Sequence, residues 1–267
     1  MIAWKPWEGV LVAIATIVTT IAATPARADD AAHIARLVDR ADRIYRGKTS
    51  AAVFDMHIKT KSYERSYQIV MWDDSRKTDR ALVKILGPAL WRGFGTLKIG
   101  DSLKLFDPKS NRITVVGQSM LGDSWMGSHF SNDDLVQETR LSRDFRIELA
   151  AHHAGKLGDR AGTYDDLVLT PKPTAPVAWG KIRYRLFESG DLVVPVRADY
   201  YRKATDAKTV RSIVFSDVTE VGGRTIPKKL TVTVADKPGE STTITYKTVK
   251  FDVSIPDSKF TEQALRR

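Results

Sequence analysis

The chain has 267 residues, of which 42% are hydrophobic and 28% charged, with a formal net charge of +10 and no cysteine. That balance excludes wholesale disorder and a many-spanned membrane protein, and the missing thiols exclude cysteine catalysis, cysteine-held metals and a lipidated N-terminal cysteine. The basic residues are dispersed, which is the pattern of a solvated surface more than of a nucleic-acid or membrane patch.

The first segment carries an address. Lys5, an apolar run from Val10 to Ala23 and the small-residue pattern Ala26-Arg27-Ala28 predict an export signal cleaved after Ala28, with Asp29 left first. The run is short of the roughly twenty apolar residues that span a bilayer, so an uncleaved anchor is the weaker reading. The mature chain, 29–267, is therefore expected in the periplasm as one domain, where nucleic acid is not a partner.

From Asp29 to Gly47, Ile34, Leu37, Val38, Ala41, Ile44 and Tyr45 recur at three- and four-residue intervals and predict an amphipathic helix. The period then changes to two. Phe54, Met56 and Ile58 alternate with Asp55, His57 and Lys59, as in a strand with one wet face. Strands are predicted next over 66–72, 80–86, 94–99, 103–106 and 112–116, separated by turn pairs such as Asp73-Asp74 and Gly100-Asp101. Such short connections require antiparallel neighbours. The stretch 118–144 breaks the rhythm, and Ser131 before Asn132-Asp133-Asp134-Leu135 has the form of a capped helix start. Strand patterns resume over 145–149, 164–169, 181–187, 193–202, 209–218, 225–234 and 242–249, with a proline-rich connection over 171–179. No internal repeat or linker divides the chain.

Catalytic motifs are absent. Gly93-Phe94-Gly95 lacks the third glycine of a dinucleotide loop, and neither a phosphate loop nor a nucleophile-elbow turn occurs. His152-His153 diverge if they lie in a strand, so the pair cannot close on one metal and reads as ordinary surface or turn histidines. Asp133-Asp134 and Asp165-Asp166 diverge likewise, and helix-start and turn roles suffice for them. Ser128-His129 lacks a neighbouring carboxylate, leaving an esterase-like site without positive support. No catalytic residue, metal or cofactor is expected.

The run Trp125-Met126-Gly127-Ser128-His129-Phe130-Ser131-Asn132-Asp133-Asp134-Leu135 resembles a motif of the LolA-like family of outer-membrane lipoprotein-sorting proteins. Ala41-Asp42-Arg43-Ile44-Tyr45-Arg46-Gly47, Gly95-Thr96-Leu97, Phe215-Ser216-Asp217 and Pro256-Asp257-Ser258-Lys259-Phe260-Thr261 match in order along the mature chain. His129 replaces an acidic residue of that pattern, and Lys104 an aromatic one. The resemblance implies an incomplete antiparallel β barrel under a helical lid, which receives lipid or lipoprotein acyl chains without converting them. It also implies an RND or MMPL-type exporter as a partner. An exported adaptor or sensor for such a transporter is the alternative, and a hydrolase the third.

Phe54, Met56, Ile58, Leu97, Ile99, Leu105 and Val115, the apolar members of alternating strands, are the candidates for the concave face. The competing reading of the same residues is a dry core beneath the first helix. Trp125, Met126 and Phe130 complete the candidate acyl-chain site as a mobile rim leading into the helix at Ser131, or as a static plug.

Overall fold

The computed structural model describes residues 28–137, 141–175 and 177–267. The expected export signal, apart from Ala28, lies outside the described residues. Helix α1 (Ala28–Asp42) precedes six strands, β1 (Thr49–Lys59), β2 (Glu64–Asp74), β3 (Arg80–Gly87), β4 (Gly95–Ile99), β5 (Ser102–Asp107) and β6 (Arg112–Val115). The short helices α2 (Asn132–Gln137) and α3 (Leu141–Asp144) interrupt the series. Seven strands follow: β7 (Phe145–Leu157), β8 (Arg160–Pro171), β9 (Lys181–Ser189), β10 (Leu192–Tyr201), β11 (Arg211–Val221), β12 (Arg224–Val234) and β13 (Ser241–Phe251), before the C-terminal α4 (Glu262–Arg266).

Among the described residues these strands make one antiparallel sheet in the order β6-β5-β4-β3-β2-β1-β13-β12-β11-β10-β9-β8-β7, so the barrel is incomplete, with β6 and β7 as its free edges. The chain meanders from β1 out to β6, jumps to the opposite edge at β7, and meanders back until β13 pairs with β1. That jump is the stretch 116–144, and its described residues from Trp125 to Leu135 cross the mouth of the curled sheet. Topology thus turns an irregular loop into part of the covering layer.

Alternation decides which side each strand buries. In β1, Ala52, Phe54, Met56 and Ile58 are at most 5% exposed and join the main core with Leu37, Val38, Ala41 and Tyr45 of the α1 segment. The helix stops at Asp42, earlier than the periodicity predicts, and residues 43–45 continue as a turn. At Gly47 the chain presses against the segment after β13: a Cβ there would lie 2.7 Å from Asp252 Oδ1, and Lys48 N donates to that same oxygen.

The outer side of β3–β5 carries a second core, in which Leu82, Leu97 and Phe106 pack against Ile255, Phe260 and Leu265 of the C-terminal segment. Gly95 admits this packing, since a Cβ there would meet Leu265 Cδ1 at 2.8 Å. Thr261 caps α4 by accepting from Ala264 N, as Ser, Thr, Asp and Asn do at helix starts.

Candidate functional site

Between α1 and the concave face lies an apolar cavity of about 190 Å³. Ala41, Ile44 and Tyr45 roof it. Its floor and walls come from both halves of the sheet: Phe54, Met71 and Val83 on one side, and Tyr184, Ala198, Tyr200, Ile213, Phe215 and Tyr246 on the other. Tyr45 stacks on Tyr246 with ring centroids 4.8 Å apart, and Tyr246 leans on Phe54 at 5.5 Å. The Tyr45 hydroxyl donates to Pro227 O at 2.8 Å, so the roof is hydrogen-bonded to the β12 wall.

Trp125 and Phe130, 4% and 9% exposed, close the side left by the missing β6–β7 pairing. Their loop is tied down from several directions. Trp125 Nε1 donates to Thr96 Oγ1 at 3.0 Å on β4, Tyr63 Oη to Gly127 O at 2.6 Å, and Trp125 N to Phe130 O at 2.8 Å. Met126 and Gly127 both take positive φ, 54° and 72°, which produces the tight reversal that turns both aromatic rings inward. Arg211, 4% exposed, pairs with Asp134 Oδ1 at 2.8 Å, and its guanidinium lies 4.9 Å from the Tyr200 ring centre and 5.8 Å from that of Phe130. α2 is thereby clamped to β11 beside the cavity.

The structure places the residues expected at the acyl-chain site in different surroundings. Phe54, Trp125 and Phe130 line the cavity. Met56 and Ile58, both 0% exposed, belong to the same core but do not line this cavity, and Leu105 and Met126 pack at the border of that core. Leu97, Ile99 and Val115 require correction. Thr96, bonded to Trp125, faces inward, so Leu97 and Ile99 face outward. Leu97 pairs with Lys104 and Lys104 with Val115, which puts Val115 on that outer side as well. Leu97 fills the second core, whereas Ile99 and Val115 are 41% and 61% exposed. A one-residue difference in strand phase reverses the face, and composition alone does not fix phase. The aromatic wall of the second half went unpredicted, although alternation at Ile182 and Tyr184, Ala198 and Tyr200, and Ile213 and Phe215 carries the same signal as Phe54.

Lys104, a departure from the family pattern, reaches Glu262 of α4 at 2.6 Å on the outer side. His129, the other departure, is held between β13 and the turn before it. Thr242 is 0% exposed and Ser128 Oγ donates to Trp125 O, while His129 Nδ1 lies 2.8 Å from Thr242 Oγ1 and its Nε2 3.4 Å from Glu240 Oε2. Through these bonds and that of its backbone N–H to Thr242 Oγ1, the histidine fastens the loop to β13. A backbone hydrogen bond from Lys61, with lesser help from His129, holds the Glu240 carboxyl below its usual range.

Where α1 gives way to β1, Arg46 lines the cavity and reaches Asp73 Oδ1 at 3.2 Å and Asp79 Oδ1 at 2.6 Å, and Lys98 reaches Asp79 Oδ2 at 2.6 Å. Burial pushes the Asp73 carboxyl up, against the pull of Arg46. Next to it, hydrogen bonds from Arg76 and then Arg80 hold Asp74 well below the carboxylate range. Asp165 and Asp166 stand in β8, within the strand expected over 164–169, and so point to opposite faces. Asp166 pairs with Arg185 at 2.6 Å, while Asp165 turns under α1 towards His33 and His152.

Comparison with known proteins places this architecture. A family model described as "Uncharacterized protein" matches residues 77–267. Comparison with curated proteins gives no significant match. Among solved structures, a DUF1329 family protein from Desulfovibrio piger superposes with a TM-score of 0.73 at 19% identity, covering 86% of this chain and 96% of its own. A domain from Vibrio parahaemolyticus described as an outer-membrane lipoprotein-sorting protein gives 0.70 at 16% identity, covering 88% and 97%. A LolA superfamily protein from Nitrosomonas europaea gives 0.67 at 19% identity, covering 86% and 98%. At these identities the likeness is one of fold: an open antiparallel barrel under a helical lid.

Proposed function

Since the chain belongs to the family whose model spans residues 77–267 and has the LolA-like fold, we propose that it is a periplasmic, non-enzymatic carrier of lipid or lipoprotein acyl chains, passing them towards the outer membrane. The observation that carries this reading is the apolar cavity roofed by α1. An apolar void of about 150 Å³ already holds a benzene-sized molecule, so about 190 Å³ accepts part of one acyl chain, and a full tail requires α1 or the 125–130 loop to move. Each buried methylene contributes roughly 0.8 kcal/mol without directional bonds, which lets one cavity take up and return varied tails.

The export signal is cleaved after Ala28 in this proposal, and residues 29–267 act as one lipid-binding domain. The RND or MMPL-type exporter implied by the family resemblance is its proposed membrane partner. Native mass spectrometry of protein gently purified from the periplasm tests the carrier reading. Expected is a mature chain beginning at Asp29 with co-purified lipid. A ligand-free protein that also fails to take up fatty acid or phospholipid from vesicles overturns it.

A further inference from the structure

α1 is fastened along its polar flank as well as its apolar one. Arg36 reaches Glu188 and Arg40 reaches Asp191, at the two ends of the β9–β10 turn, and one helical turn earlier His33 reaches Asp165 on β8. The last contact is unlike the other two. Asp165 is 0% exposed, and its Oδ1 lies 3.2 Å from His33 Nε2 and 2.7 Å from His152 Nδ1. Its Oδ2 is buried with no hydrogen-bond partner among the described residues.

We propose that His33, His152 and Asp165 form a binding site for a divalent transition-metal ion, zinc foremost, that pins the α1 lid to β7 and β8. Two imidazole nitrogens and a carboxylate oxygen are the donor set of three-ligand zinc sites, in which water takes the fourth position. Their ligand atoms all lie within 4.8 Å of one another. Around a tetrahedral ion with bonds of about 2.0–2.1 Å, ligand atoms sit roughly 3.3 Å apart, so the two oxygen–nitrogen spacings, 3.2 and 2.7 Å, widen slightly on binding while the two imidazole nitrogens adjust within the 4.8 Å that bounds the set.

The sheet prepares the site. His152 stands directly opposite Asp165 in the β7–β8 ladder, so both side chains leave the same face, and α1 lays His33 above them. A fully buried carboxylate is costly without a compensating positive charge, and the second carboxylate oxygen remains available as a further donor. The side chain of His152, 54% exposed, leaves a route from solvent. Arg36 sets the metal-free state. Its Nη2 lies 2.9 Å from His33 Nδ1, so that nitrogen accepts and the ring proton sits on Nε2, facing Asp165. Metal uptake at Nε2 leaves the ring's single proton on Nδ1, which then no longer accepts, and leaves Arg36 to Glu188, its other partner. His153 serves as an internal control, because it faces the other way and stacks on Tyr164 with centroids 5.5 Å apart.

The test is titration of chelator-treated, tag-free mature protein with zinc chloride by calorimetry, without lipid, so that failure here leaves the carrier proposal standing. Wild type is expected to bind one ion per chain. His33→Ala and His152→Ala are expected to weaken binding by at least about tenfold, the scale on which even outer-shell losses register. His153→Ala is expected to bind as wild type. Because His152 is half-exposed, its variant keeps the fold, which circular dichroism verifies. Absence of saturable binding to wild type overturns the proposal. So does equal binding by wild type and folded His152→Ala, or an equal loss in His153→Ala.

Discussion

Ala198→Leu separates a cavity that holds ligand from one that is merely unfilled core. Ala198 is 3% exposed, lines the cavity, and sits between Tyr184 of β9 and Ile213 of β11 in the ladder. The substitution adds three carbons to the void without touching any hydrogen bond of the strand. If all three are accommodated, burial contributes up to about 2.4 kcal/mol of stability at roughly 0.8 kcal/mol per carbon. For a domain of this size that raises Tm by roughly 5–10 °C. The same three carbons take the place of about three methylenes of a bound tail, which weakens affinity by the same amount, about 50-fold. Stability and binding should therefore move in opposite directions. Thermal melts give the first quantity and displacement of a fluorescent fatty acid the second. A lower Tm, from overpacking strain of about 1–3 kcal/mol, together with unchanged affinity refutes the reasoning, because it shows that no usable void adjoins Ala198.

Met56→Glu should fail to give a folded protein or lose more than about 4 kcal/mol, since Met56 is 0% exposed in the core and an unpaired carboxylate there finds no water; a folded, acyl-free Met56→Glu protein would show that the cavity reaches the middle of β1. Thr96→Val strands the buried Trp125 indole N–H, and urea denaturation should register a loss of about 1–3 kcal/mol. Asp74→Asn tests an acid-sensitive clamp. The folded carboxyl is held below the unfolded value of about 3.9, so its stabilisation is complete above that pH and fades as pH falls through the folded value. The variant should accordingly be less stable than wild type at pH 7, and the difference should begin to narrow as pH falls below about 4, while a pH-independent difference in chemical denaturation would contradict this.

Much of the architecture is legible in the residues because the buried positions repeat with the period of the element that carries them. All thirteen strands coincide with alternating runs or apolar strand patterns, and β1 shows it most plainly, with Phe54, Met56 and Ile58 buried between more exposed neighbours. Strand ends drifted by several residues where polar stretches continue a ladder. β7 runs to Leu157, well past Leu149, since His152, His153 and Ala154 pair with β8 although most of them face water. The open barrel and its lid came from the resemblance carried by residues 125–135, and the structure shows what that motif does there: it bridges β6 to β7 across the mouth of the sheet.

By itself, then, the sequence determined the β-rich class, the amphipathic first helix, the antiparallel meander and the apolar character of β1, since each depends on spacings of a few residues along one segment. The tertiary structure alone decided which side of β4 and β6 faces inward, because phase is set by neighbours in the ladder: Thr96 against Leu105 within, Leu97 against Lys104 without. It alone brought Tyr184, Tyr200 and Tyr246 around one void with Phe54, and set His33 beside Asp165, 132 residues away in the chain. Contacts of that span arise only when the curl of the sheet brings the two halves of the meander face to face, and no local period records them.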